Sequence, residues 1–109
     1  MVSLAIRDRY LRDPLPVRLG GIAADLARVV SCAVNPKNHE AVTSLLEESK
    51  WFAEWAAPEA SLETQEVLAE LQVQVALWQC RWMRGKPEAS MTAQAQAWSD
   101  RLLELAGLV

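Results

Sequence analysis

The sequence has 109 residues, of which 51% are hydrophobic and 23% are charged, and its formal net charge at pH 7 is -3. This length fits one domain that can bury a core, and the composition lies far from the low hydrophobicity and high charge of disordered proteins. An acidic chain without a strongly basic face does not neutralise a phosphate backbone, so we expect no nucleic-acid partner.

Residues 1–13 are predicted to form a short N-terminal arm ahead of the main domain. Its charged side chains alternate in sign and cancel in part: Arg7, Asp8, Arg9, Arg12 and Asp13. We interpret this basic cluster as a solvated arm, and the alternative is a contact strip for an acidic partner. The apolar opening, residues 1–6, is too short for a signal-peptide core, and no apolar run approaches the roughly 18 residues that a membrane-spanning helix needs. The sequence therefore predicts a soluble, cytoplasmic protein with no membrane partner.

The first long helix is predicted to begin at Pro14 or Pro16, since proline is tolerated in a first turn. Apolar residues then recur at alternating steps of three and four: Leu19, Ile22, Leu26, Val29 and Ala33. Arg18, Asp25 and Arg28 fall outside this stripe. We therefore expect these three charged side chains on the surface.

The second helix is predicted to begin at Asn35 and Pro36, because asparagine is a good N-cap and proline suits the first helical position. Its inward stripe is Val42, Leu45, Ser49, Phe52 and Ala56. Trp51 lies off this stripe and Trp55 lies at its edge. The helix is expected to end near Ala57.

The third helix is predicted to run from Ser61, a good N-cap, to Gly85, a good left-handed stop. Its inward stripe is Leu68, Leu71, Val75, Trp78 and Trp82. The fourth helix begins at Pro87 or Ser90 and runs to Gly107. Its inward stripe is Met91, Ala95, Trp98, Leu102 and Leu105.

Four helices of similar length joined by short links must lie antiparallel to their neighbours, because a link of a few residues does not cross the length of a bundle. The sequence thus predicts an all-α fold. Residues 14–109 are expected to form an antiparallel up-down-up-down four-helix bundle. No strand-like alternation competes with this pattern.

Cys32, His39 and Cys80 are predicted to lie at one end of the bundle. A structural zinc site needs four ligands, so we interpret both cysteines as buried free thiols and expect no metal. A single histidine leaves no Glu-x-x-His pair for a di-metal site and no recognisable set of nucleophile and base. We therefore expect no cofactor and no catalytic residues, and predict that the protein is not an enzyme.

Tryptophan is unusually frequent, with five residues. Trp78, Trp82 and Trp98 lie on inward stripes and are predicted to be core, with a pocket for an aromatic ligand as the alternative. Trp51 and Trp55 are candidate contact residues, because exposed tryptophans are enriched at interfaces. The alternative is that the N-terminal arm covers them through its apolar residues: Leu4, Ile6, Tyr10 and Leu11.

A polar but uncharged strip runs along the third predicted helix. Gln65, Gln72 and Gln79 recur at every seventh position and lie beside small residues such as Ala76. Such a strip is typical of a semi-buried second face, so we predict that these four residues belong to a homodimer contact. The alternative is a partly wet edge of the bundle.

The segments LPVRLGG at 15–21, LLEESKWF at 45–52 and WSDR at 98–101 resemble a small all-helical protein family found in cyanobacteria. This resemblance implies a single-domain cytoplasmic protein and assigns no activity. The sequence as a whole predicts a non-enzymatic interaction or scaffold module that self-associates. The alternative is a small-molecule binder that uses a tryptophan-lined core.

Overall fold

A computed structural model describes residues 3–87 and 89–109, and no strand occurs in these ranges. Five α-helices follow one another: α1 Leu4–Arg12, α2 Leu15–Cys32, α3 His39–Ala56, α4 Leu62–Met83 and α5 Met91–Leu105. Short 3-10 turns at Pro36–Asn38 and Ala57–Glu59 connect α2 to α3 and α3 to α4. The all-α prediction is confirmed, and the described chain has one more helix than the sequence predicts. None of these helices combines the length and the apolar character that crossing a bilayer requires.

The ends of α4 and α5 follow the local sequence signals. Ser61 caps α4, because its Oγ accepts a hydrogen bond from the backbone N–H of Thr64 at 3.2 Å. Gly85 and Gly107 have left-handed φ values of 71° and 73° just after the two helices, a conformation that glycine adopts without steric strain. The predicted third helix, from Ser61 to Gly85, is thus confirmed at both ends.

The N-terminal arm contains a helix, α1, which packs on α3. The ring of Tyr10 stacks on that of Phe52, with centroids 4.0 Å apart and planes 5° apart. The Tyr10 hydroxyl donates a hydrogen bond to the backbone oxygen of Arg18 at 2.7 Å. Tyr10 is buried, whereas the charged side chains of the arm are exposed, as the interpretation of a solvated basic cluster expects: Arg7, Asp8, Arg9, Arg12 and Asp13. A helix of nine residues is not stable alone, so this docking explains why it forms.

The core lies between the four longer helices. α2 contacts α3 and α5, and α3 contacts α4. The largest buried apolar side chains include Ile22, Leu26, Leu46, Leu68, Leu71, Trp78 and Leu102. α4 and α5 contact each other much less than the other neighbouring pairs do, and a groove lies between them.

Contacts between α3 and α4 pair the start of one helix with the end of the other. Trp82, near the end of α4, donates from Nε1 to the backbone oxygen of His39, the first residue of α3, at 3.1 Å. Gln72, in the middle of α4, donates to the backbone oxygen of Lys50, further along α3, at 3.4 Å. The two helices therefore run in opposite directions.

Trp98 and the two cysteines are less buried than the sequence predicts. Trp98 is half-buried, whereas its neighbour Ser99 is buried and donates from Oγ to the backbone oxygen of Ala23 at 2.8 Å. The inner side of α5 therefore faces α2 through Ser99, which leaves Trp98 beside the groove. Cys32 is half-buried and Cys80 is exposed, so the prediction of two buried thiols is wrong. Cys80 lies on the side of α4 away from the core.

Candidate interaction surfaces

One side of α4 is exposed over most of the helix and, apart from Glu66, is apolar. Because a helix has 3.6 residues per turn, the side opposite the buried Leu68, Leu71 and Val75 must point away from the core. We name this side the outer face of α4: Leu62, Glu66, Ala69, Val73, Ala76, Leu77 and Cys80. Val73 keeps 63% and Leu77 keeps 51% of its surface exposed. A continuous exposed apolar strip is typical of an interaction site.

The predicted glutamine strip borders this face and is turned toward α3. Gln72 donates to the backbone oxygen of Lys50 at 3.4 Å, and Gln79 donates from Nε2 to Glu47 Oε2 at 2.8 Å. Gln65 donates to the backbone oxygen of Ala60 at 3.1 Å. The three amides are thus hydrogen-bonded within the chain, as the alternative of a partly wet edge expects. Of the four residues predicted for the homodimer contact, Ala76 is exposed and the glutamines are half-buried.

Glu47 connects this polar edge to Trp51. Its Oε1 accepts a hydrogen bond from Trp51 Nε1 at 2.9 Å, while its Oε2 accepts the bond from Gln79 and lies 3.3 Å from Lys50 Nζ. Partial burial opposes ionisation of Glu47, but the hydrogen bonds from Gln79, Trp51 and Lys50 outweigh it and lower its pKa. Trp51 is therefore half-buried and held at the α3–α4 edge.

Trp55 is half-buried beneath α1. Its ring centroid lies 6.2 Å from that of Tyr10 and 6.0 Å from that of Phe52. The centroid of Trp51 lies 5.9 Å away on the other side. The alternative that the N-terminal arm covers this surface is thus confirmed for Trp55 by the contact with Tyr10.

The groove between α4 and α5 has a volume of about 480 Å³. It is lined by Glu63, Glu66, Val67, Glu70, Gln94, Ala97, Trp98 and Arg101. Arg101 Nη2 lies 3.6 Å from Glu63 Oε1 across the groove. Trp78 lies below in the core, where its Nε1 donates to Gln94 Oε1 at 3.1 Å. The groove is therefore acidic on its α4 side and aromatic on its α5 side.

Arg18 is 2% exposed and joins three segments, so its predicted surface position is wrong. Its Nε donates to the backbone oxygen of Asp13 at 3.0 Å, and its Nη2 donates to Glu59 Oε2 at 2.9 Å. In the described part of the chain, Nη1 is buried without a hydrogen-bond partner. The guanidinium thus ties α2 to the end of α1 and to the turn before α4.

Asp25 is also buried, at 3% exposure, against the prediction of a surface position. Burial, followed by the hydrogen bond and the charge of Glu48, raises its pKa to about 8, although Arg28 opposes the shift. A carboxyl group donates a hydrogen bond to a second carboxylate only when it is protonated, so the proximity of Glu48 favours the protonated form of Asp25. A sequence signal for both buried charges exists, because Arg18 and Asp25 alternate with Ile22 and Val29 at steps of four, three and four.

The cysteines and the histidine have separate surroundings. The His39 ring stacks on the Trp82 ring with centroids 5.0 Å apart, and Cys80 faces outward from α4. Among residues 3–87 and 89–109, no three His, Cys, Asp or Glu side chains form a group that could hold a metal ion. His39 is thus positioned by an aromatic neighbour.

No family model matches the chain, and no curated protein and no solved structure is significantly similar to it. The resemblance to a cyanobacterial helical family stays a prediction. The outer face of α4 and the groove beside it are therefore the features on which a function can be based.

Proposed function

We propose that this protein is a non-enzymatic, cytoplasmic interaction module that self-associates through the outer face of α4. The observation that carries the proposal is the exposure of Val73 and Leu77, each more than half accessible. Covering either side chain contributes on the order of 1 kcal/mol. Ala69 and Ala76 are small, which lets the axis of a second helix approach closely.

The same proposal includes the bundle. α2 to α5 are proposed to form an antiparallel four-helix bundle, with α1 packed on α3. Support comes from the opposite directions of α3 and α4 and from the short links between successive helices. In such a bundle each helix has one side turned outward, and on α4 that side is the apolar one.

The polar edge between α3 and α4 borders the proposed contact. Gln79 and Trp51 both donate to Glu47, so the surface continues from the outer face of α4 to the half-buried Trp51. In this arrangement the glutamines are the rim of the interface and Ala76 belongs to its centre. A polar rim around an apolar centre is typical of protein interfaces.

Sedimentation velocity tests the proposal. The unmodified chain is expected to sediment as a dimer at high micromolar concentration and to dissociate on dilution. Changing Val73 and Ala76 together to Glu should produce a monomer with unchanged helical circular dichroism, because four charges would otherwise meet in an apolar contact. The matched control is Ala93→Glu, at an exposed position of α5. A native chain that stays monomeric at high micromolar concentration contradicts the proposal.

The second candidate function is binding of a small molecule in the groove between α4 and α5. Trp78 is fully buried with its N–H bonded to Gln94, so the half-buried Trp98 offers the accessible aromatic surface. Glu66 and Glu70 beside it favour an organic cation, which an indole face also attracts. Titration with tetramethylammonium or spermidine should shift the Trp98 indole N–H resonance in the native chain and leave that of Trp51 unchanged. Absence of any saturable shift argues against this function.

A further inference from the structure

Charge is distributed unevenly along the exposed side of α4. The first half of the helix carries Glu63, Glu66 and Glu70, whereas Arg81 and the C-cap residue Arg84 lie at its end. All five side chains are exposed. The exposed side of α4 is therefore acidic in its first half and basic at its end.

The acidic and basic residues lie on the same flank of the outer face. Glu63, Glu66 and Glu70 line the groove toward α5. Arg81 follows Glu70 by eleven residues, which is close to three whole turns, so it lies on this same flank. The opposite flank, toward α3, carries the uncharged Gln72.

We infer that two copies of this chain pack their outer faces of α4 antiparallel, about a two-fold axis beside Val73. This inference rests on the proposed function and specifies its partner and geometry. Val73 lies ten residues after Glu63 and eleven residues before Arg84. A two-fold axis at this point, perpendicular to both helices, brings the charged flank of one copy against the charged flank of the other in reverse order.

Charge complementarity selects this direction. In the antiparallel arrangement Glu66 of each copy meets Arg81 of the other, which gives two equivalent opposite-charge pairs. In a parallel arrangement the acidic ends lie together, and the charged flank faces the glutamine flank of the second copy. The antiparallel pairing therefore replaces repulsion between like ends with attraction.

The contact area makes this dimer weak and reversible. Each α4 has 22 residues, and a helix of that length extends about 33 Å. A contact confined to one pair of such helices is narrow, whereas specific stable complexes bury roughly 1,200 Å² or more in total. A dissociation constant in the micromolar range is expected, with a partial loss of affinity at high salt because the charge pairs lie at the rim.

Disulfide cross-linking distinguishes the two directions. Every variant carries Cys32→Ser, which leaves Cys80 as the native thiol. In the antiparallel dimer, Cys80 of one copy lies opposite Glu66 of the other, whereas the two Cys80 residues are about 21 Å apart along the axis. Mild oxidation should therefore leave this chain uncrosslinked, and adding Glu66→Cys should make cross-linking at least ten-fold faster. Val73→Cys combined with Cys80→Ser is the control for association, because this position meets its own copy in either direction.

Peptide mapping identifies the bond that forms. A link between the cysteine introduced by Glu66→Cys and Cys80 of the other copy supports the inference. The antiparallel geometry is overturned if Cys80 links rapidly to Cys80, or if the linking rates with and without Glu66→Cys are equal. In that case, linking of the Val73→Cys chain still upholds the proposed function. If the Val73→Cys chain also fails to link and the native chain sediments as a monomer, the proposed function is wrong as well.

Discussion

At the scale of single residues, Asp25 couples protonation to folding. Burial and the neighbouring Glu48 raise its pKa from 3.8 to about 8. Between these two pH values the unfolded chain releases the proton and the folded chain keeps it. The stability contributed by this group is therefore complete below pH 3.8 and is lost as the pH rises through about 8.

Asp25→Asn should remove this dependence, because the amide keeps the size of the side chain and can donate to Glu48 without a charge. Its free energy of unfolding should exceed that of the native chain by about 1 to 3 kcal/mol at alkaline pH and should match it in acid. Urea titrations across the pH range measure this difference, with Asp8→Asn at an exposed position as the control. A parallel pH dependence in the native and Asp25→Asn chains would show that Asp25 is already ionised when folded.

Two tryptophans should differ sharply in their contribution to stability. Trp78 is fully buried and hydrogen-bonded to Gln94, so Trp78→Ala should cost about 3 to 5 kcal/mol. Trp98 is half-buried beside the groove, and Trp98→Ala should cost about 1 to 2 kcal/mol because part of its surface already contacts water. Urea unfolding of both variants measures the difference. Equal losses would mean that α5 packs with Trp98 inward, as the sequence alone predicts.

At the scale of elements, α1 depends on its docking to α3. Tyr10 supplies the stacked contact with Phe52 and the hydrogen bond to Arg18. Because nine residues do not sustain a helix alone, Tyr10→Ala should unfold α1 and leave the other helices folded. Hydrogen exchange should then become fast across residues 4–12 and stay slow in the core of α2. Tyr10→Phe, which keeps the ring, is the milder control. Retained protection of α1 in Tyr10→Ala would locate the docking contact elsewhere.

The elements that the sequence predicts best are those with local signals. Ser61 and Gly85 mark the ends of α4 through a cap and a left-handed turn, and both depend on a few neighbouring residues. The burial of Arg18 is different, because it depends on Glu59, which is 41 residues away. The sequence predicts Trp98 in the core for a similar reason. Its partial exposure depends on the groove between α4 and α5, which the pattern within α5 does not show. Periodicity predicts which side of a helix is apolar, whereas partners distant in the chain decide which charges are enclosed.

The sequence-predicted contact residues lie at different places around α4. The sequence indicates a second, semi-buried side on α4, and Ala76 lies on the exposed outer face. Gln72 and Gln79 mark its border, because their amides donate hydrogen bonds to Lys50 and Glu47 of α3. These contacts depend on how α3 packs on α4, which the local sequence does not show. For Trp55 the sequence leaves two alternatives, a contact residue or a side chain that the N-terminal arm covers. The position of Tyr10 supports the second alternative.

At the scale of the whole molecule, the described helices pack around one core and leave an apolar side of α4 exposed. α2 is enclosed by α3 and α5, whereas α4 has a neighbour on the α3 side and a groove on the α5 side. The outer face of α4 is therefore the place where a second copy can add contacts without disturbing the core. The charged flank beside this face, acidic at Glu63, Glu66 and Glu70 and basic at Arg81, gives the proposed contact a direction.

Mixing two charge-reversed chains tests the antiparallel association through the outer face of α4 most directly. Glu66→Arg alone and Arg81→Glu alone should each be monomeric, because like charges then meet twice in either homodimer. An equimolar mixture restores two opposite-charge pairs, so native mass spectrometry and sedimentation should detect a heterodimer with an affinity within about ten-fold of that of the native dimer. Monomers in the mixture, or homodimers of either variant as tight as the native dimer, would contradict antiparallel association through the outer face of α4.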